Sequence, residues 1–331
     1  MVKNDIDDWR KLYEISLKIK EIKPWEWLWD ADLITIKKEA SEPSYCVIMG
    51  RNGECYGIGI YQGAEGLTSF MDIMRSHNIP PEQMIRYQKC LAVYWGDRAE
   101  LIKKDLDIIK EAGYKFRGKN QWLYFRSYKP PYAPYILNNE EVVYLTEILT
   151  QLYAALCEYK ENNIKVDFEN EQTLLRSCTD GEWKTEVSEI EWETEAYPCL
   201  ALEDEELLNE MQATKNIRSE IEIDVAYLYG QIKDKQYDRP ALIRCAMITD
   251  RKAELIIYQD MPTPEDSDDD IIANLFINYI TNMGKPGKIF VRDERNACII
   301  SELCESLDIP IYISPRLEII DDAVDFIGMR M

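Results

Sequence analysis

The sequence predicts an α+β domain followed by an α/β domain. Three observations lead there: a change of charge midway along the 331-residue chain, an Asn-Gly turn between two apolar runs in the first half, and a succession of strand-like and helix-like segments beyond residue 218. Residues 1–160 carry 22 Lys and Arg against 23 Asp and Glu, whereas residues 161–331 carry 17 against 38. Nearly all of the net charge of −22 therefore belongs to the second half. That split assigns 1–160 and 161–331 to separate domains, the second with its core at about 218–331.

In the first half, Ile6, Trp9, Leu12, Tyr13, Leu17 and Ile19 recur at helical spacing, and Pro24 ends the stripe. The following "WEWLWDADLITIKK" alternates, so an extended chain would put Trp25, Trp27 and Trp29 on one side, as a core wall or a ligand platform. The runs "SYCVIMG" and "CYGIGIYQG", joined by "RNGE", predict a hairpin. Within and just after the second run, Gly57, Gly59, Gly63 and Gly66 resemble a phosphate cradle at first sight. The dinucleotide spacing needs a third glycine where Gln62 stands, no lysine follows Gly66, and Glu65 would repel an anion at a helix start. The spacing predicts a strand, a turn at 63–66 and a helix over 67–76 instead. Then come a helix stopped by Gly113, a strand "QWLYFRSY", a proline-rich extended stretch at 128–137, and a long helix capped by Asn139.

In the second half, "EWKTEVSEIEWETEAY" reads as a strand with Glu189, Glu191, Glu193 and Glu195 on one side, and "LEDEELLNEM" as a helix with an acidic first turn. From 218 a strand places Ile221, Ile223 and Val225 on one face and Glu220, Glu222 and Asp224 on the other. Two apolar runs about a turn at 250–252 follow, then a helix opened by Ser267 and closed by Gly284, the strand "KIFVRD", a helix, the strand "IPIYIS" and a final helix.

Composition narrows the chemistry. His77 is the sole histidine, which removes multi-histidine zinc sites and histidine-based triads. Nine cysteines occur without a C-x-x-C pair and read as small buried hydrophobes. No long uncharged apolar run spans a membrane, and the mixed charges of the first 27 residues do not resemble a signal segment, so a cytoplasmic protein is expected. The acidic surface disfavours nucleic acid and favours a basic protein as partner.

Two resemblances add to this. The order from 218 onward, three strands and then helix, strand, helix, strand, helix, resembles the ribonuclease H-like fold. That family's two-metal chemistry would, by position, fall on Asp224, Asp270, Asp293 and Asp322, with Mg²⁺ or Mn²⁺ as cofactor. Separately, "WEWLWDADLITI", "YCVIMGRNGECYGIGIYQGAEGL" and "KPGKIFVRDERNACIISELCESLDIPIYIS" resemble a bacterial two-domain family of unknown function, which implies two domains and brings no activity or cofactor with it. The leading expectation is a non-catalytic binding or regulatory protein without catalytic residues or cofactor, its acidic second domain engaging a basic partner. The alternatives are a metal-dependent phosphodiesterase or nuclease at the four aspartates, and small-molecule binding by the aromatic-rich first domain.

Overall fold

A computed structural model describes residues 6–202 and 204–329. The chain forms two units. One holds the chain through Met71, Gln88–Lys129 and Pro134–Glu195; the other holds Asp72–Tyr87, Pro130–Ala133 and the chain from Ala196 onward.

The first unit contains α1 (Ile6–Ile22), β1 (Ile34–Lys37), β2 (Ser44–Met49), β3 (Gly57–Gln62), the start of α2 (Gly63–Arg75), β4 (Cys90–Gly96), α3 (Lys103–Ala112), β5 (Trp122–Tyr128), α4 (Asn139–Glu161), β6 (Gln172–Thr179) and β7 (Glu182–Glu189). Its sheet runs β5-β4-β3-β2-β1-β6-β7, antiparallel except where β6 lies parallel to β1. Trp9, Leu12, Tyr13 and Ile19 of α1 and Leu145, Leu149, Leu152 and Leu156 of α4 close over Ile34, Ile48, Ile58, Ile60, Val93 and Phe125 of the sheet. Burying such side chains stabilises the layer by roughly 1.5–3 kcal/mol each. The charge balance turns strongly acidic near residue 160, but this sheet continues through Glu189.

Several expectations are refined. The hairpin forms, pairing Met49 with Gly57, but its connection spans residues 50–56, with Gly50 and Gly53 at positive φ. The tryptophans do not share a face: Pro24 starts a 3-10 turn at Pro24–Glu26, which ends the alternation. Trp25 packs on Tyr56 and Trp95, Trp27 stacks on Tyr159 at 5.5 Å, and Trp29 lies under the Arg51 guanidinium. The capping residue of α4 is Asn138, one position earlier than expected, because its side chain accepts from the Glu141 N–H while Glu141 accepts from the Asn138 N–H. Strand β7 stops at Glu189, so Glu191, Glu193 and Glu195 lie on irregular exposed chain rather than on a strand face. All nine cysteines are free, yet Cys55 and Cys199 are exposed and Cys46, Cys245 and Cys304 alone are buried.

Residues 63–66 are the first turn of α2, not a loop before it. A Cβ on Gly66 would lie 2.6 Å from the Tyr61 carbonyl carbon and 3.0 Å from its Cα. The close approach of β3 to α2 thus needs a bare backbone. Gly66→Ala is expected to destabilise the protein by about 1–3 kcal/mol, because overpacking against backbone outweighs the better helix propensity of alanine. An unchanged urea midpoint for this variant would contradict that packing.

Helix α3 is anchored by a buried pair. Arg126 of β5 donates from Nη1 and Nη2 to the two carboxylate oxygens of Asp105, both at 2.9 Å, and Asp105 also accepts the Ile102 N–H at the helix start. Both side chains are nearly inaccessible to solvent.

The second unit contains the last turn of α2, α5 (Glu205–Ala213), β8 (Glu220–Ile232), β9 (Ala241–Asp250), β10 (Leu255–Asp260), α6 (Asp268–Met283), β11 (Lys288–Val291), α7 (Glu294–Leu307), β12 (Ile311–Ile313) and α8 (Glu318–Gly328). Its sheet runs β10-β9-β8-β11-β12. The first three strands are antiparallel, whereas β11 is parallel to β8 and β12 to β11. This is the element order anticipated beyond residue 218, and the fold as a whole is α+β followed by α/β. Ile221, Ile223 and Val225 pack with α6 and α7 on one face; Ala226, Leu228 and Met247 pack with Leu317, Ile320 and Val324 on the other. Strand β8 is therefore covered on both sides from Ile221 to Leu228, and Glu222 and Asp224 of its acidic face are buried as well.

Candidate functional site

Because α8 and the segment Pro81–Tyr87 pack on β8, Glu222 and Asp224 are fully buried and must find donors within the protein. Asp224 receives four. Arg86 donates from Nη1 to Oδ1 at 2.7 Å and from Nη2 to Oδ2 at 3.1 Å, Arg292 Nε donates to Oδ2 at 2.8 Å, and Asn296 Nδ2 donates to Oδ1 at 3.1 Å. Burial alone would push the Asp224 carboxyl up, but the two guanidiniums outweigh it and hold the group well below the usual carboxylate range.

Each arginine is fixed in turn. Arg86 Nη2 also reaches Gln83 Oε1 at 2.6 Å and the Val225 carbonyl at 2.9 Å, and Gln83 pairs with both backbone groups of Tyr227 at 2.9 Å. Arg292, wholly inaccessible, donates to Asp321 Oδ1 at 2.7 Å and to the Pro315 carbonyl at 2.8 Å. Asp321 Oδ2 accepts the Leu317 N–H at the start of α8.

The four aspartates expected by position do not form one cluster. Asp293 caps α7 by accepting the Asn296 N–H at 2.8 Å, and takes the Tyr87 hydroxyl at 2.5 Å. Asn296 thus bridges Asp224 and Asp293. Asp270 is exposed in the first turn of α6, and Asp322 is exposed on α8 beside Arg316 at 3.7 Å. Among the described residues, no three His, Cys, Asp or Glu side chains are grouped so as to hold a metal ion. The residues present do not fit a two-metal centre: both oxygens of its would-be central ligand already face cations and an amide, and two of the other carboxylates are elsewhere.

Glu222 differs from Asp224. Its Oε2 accepts the Ile319 and Ile320 N–H groups at 3.1 Å and the Thr249 hydroxyl at 3.2 Å, and Arg251 Nε lies 3.3 Å from Oε1. Burial dominates here and pushes the carboxyl above its ordinary value, with the amides and Arg251 opposing. The neighbouring Asp224, with two guanidiniums, goes the other way, so one strand face holds two carboxyls of opposite character.

Away from the sheet, α5 packs on α7, and Gln212 Nε2 donates to the Ser306 carbonyl at 3.4 Å. Glu205, Glu206 and Glu210 on α5 and Glu302 and Glu305 on α7 are exposed and have no cationic partner among the described residues.

Sequence reasoning missed Arg86, Arg292, Asn296 and Asp321. One signal was present: a strand with an acidic residue at every second place, followed by "KIFVRD", in which a basic residue directly succeeds a buried-type strand.

These features define a mixed α and β protein of two units, the second organised around a carboxylate clamped by two arginines. The chain belongs to the family described as a domain of unknown function (DUF7309), whose model matches residues 9–176, just over half of its length. Residues 207–328 match a second domain of unknown function (DUF6930). No curated protein and no solved structure matches the chain. No helix among the described residues is long and apolar enough to cross a membrane.

Proposed function

We propose that this is a non-catalytic binding protein whose second unit docks a basic partner on the exposed carboxylates of α5 and α7. The observation that carries the reading is that these five carboxylates lack cationic partners, in a half of the chain with a net charge of −21. Such a surface attracts cations over about a Debye length, ~10 Å at 0.1 M salt, and steers their approach. A lysine- and arginine-rich peptide of about 20 residues is expected to bind the full chain at 50 mM salt and to weaken at least tenfold by 300 mM. Glu206→Lys combined with Glu302→Lys should weaken binding at 50 mM salt while leaving the melting temperature in place. Binding that ignores both salt and the double variant would overturn the docking surface.

A second reading, a ribonuclease H-like phosphodiesterase, draws support from the strand order β10-β9-β8-β11-β12 and from the nearness of Asp224 to Asp293 through Asn296. Arg86 and Arg292 argue against it, because they neutralise the carboxylate that such chemistry would need free. The second unit is better read as that kind of scaffold with its central carboxylate committed to holding the fold together.

A further inference from the structure

We propose that the first unit binds a compact anion bearing a planar ring, of mononucleotide size, in a cleft beside the C-terminal end of α3. The cleft has a volume of about 400 Å³, within the range of roughly 300–1,000 Å³ usual for small-molecule sites. Its cations come from three places: Arg98 after β4, Lys110 in the last turn of α3, and Lys115 and Arg117 in the loop leading to β5. All four are exposed, and none has a carboxylate partner among the described residues. In a stretch, residues 1–160, whose charges nearly balance, this hollow gathers four cations without a carboxylate partner among the described residues.

The rings supply the second half of the specificity. Tyr114 and Phe116 lie 5.9 Å apart with planes 5° from parallel, and Trp122 meets Phe116 at 6.3 Å and 64°. All three are half-buried, so each keeps surface toward solvent. Arg98 sits 5.8 Å from the Trp122 ring, where a cation is favoured by the ring's face. A planar ring can stack on this group while its anionic substituent meets the guanidinium and ammonium groups.

Helix α3 would oppose an anion if its last carbonyls were bare. They are not: Tyr114 N–H donates to the Ile109 carbonyl and Gly113 N–H to that of Lys110, with Gly113 at φ +90°. Arg10 covers the carbonyls of Glu111 and Ala112 at 3.3 and 3.4 Å. The last carbonyls of the helix are thereby capped, which reduces their repulsion of an anion. A long polyanion is a poorer match than a compact one, since it would carry many charges past a strongly acidic molecule.

The test is calorimetric titration of the full chain with AMP, GMP, CMP and UMP, and with the matching nucleosides and inorganic phosphate. At least one mononucleotide should bind saturably, at least tenfold more tightly than its nucleoside or phosphate. Lys115→Glu with Arg117→Glu should weaken it by at least about tenfold, the loss of two charge-assisted contacts, with the melting temperature retained. Trp122→Phe should abolish the ligand-induced change in tryptophan fluorescence while calorimetric binding persists. The proposal is overturned if no mononucleotide binds, if the double variant binds as wild type does, or if a hexanucleotide binds more tightly than its monomer. Glu206→Lys with Glu302→Lys should leave mononucleotide binding intact, which separates this site from the docking surface.

Discussion

Replacing Asp224 by alanine is expected to destabilise the second unit by roughly 3–5 kcal/mol, the cost of stranding a buried charge after its partner is removed. For a unit of this size the melting temperature should fall by about 10 °C. The reason lies in the geometry: Arg292 is wholly inaccessible and Arg86 nearly so, and without Asp224 both guanidiniums lose their common acceptor. The pH dependence follows from the direction of the shift. A carboxyl held below its unfolded value of about 3.9 contributes stability at all pH above that value and loses it as the pH falls toward the folded one. Asp224→Asn should therefore be less stable than wild type at neutral pH and show a shallower decline below about pH 4. Thermal melts from pH 2 to 7 measure both; an Asp224→Ala protein melting within about 2 °C of wild type would sink the clamp as a determinant of stability.

Asp105→Ala is expected to destabilise the first unit by a similar roughly 3–5 kcal/mol, since it uncouples Arg126 and removes the acceptor for the Ile102 N–H at the start of α3. Asp105→Asn keeps an acceptor for that N–H but not the charge, so it should fall between alanine and wild type. Urea denaturation followed by tryptophan fluorescence distinguishes the three. If asparagine matched wild type, the energy would reside in the helix cap alone and the ion pair would contribute nothing.

What the sequence made legible was whatever follows from local pattern. The stripe from Ile6 to Ile19, the Asn-Gly hairpin, the stop at Gly113 and the element order after residue 218 each rest on spacing within one segment. The glycines of β3 and α2 were refused a phosphate role because Gln62 breaks the spacing, but Gly66 escaped notice as a packing residue because only Tyr61's folded backbone gives it that role. Trp25, Trp27 and Trp29 were misread because Pro24 starts a turn, and alternation has meaning only in extended chain. Asp224 was singled out for a metal by its place on the strand, yet its chemistry is set by Arg86, 138 residues away, and Arg292, 68 residues away. No local pattern connects those positions. The cleft was hidden for the same cause: Arg98, Lys110, Lys115 and Arg117 are single surface residues without a period, gathered only when α3 and the following loop turn back toward β5.

Gln83 and Arg86 belong by contacts to the second unit, yet they fall inside the stretch matched by the first family description, residues 9–176. A gene carrying only the 207–328 portion would encode Asp224 and Arg292 while omitting the other guanidinium and the glutamine that mates with Tyr227. In such a chain Asp224 would face Arg292 and Asn296 with one of its two guanidiniums missing.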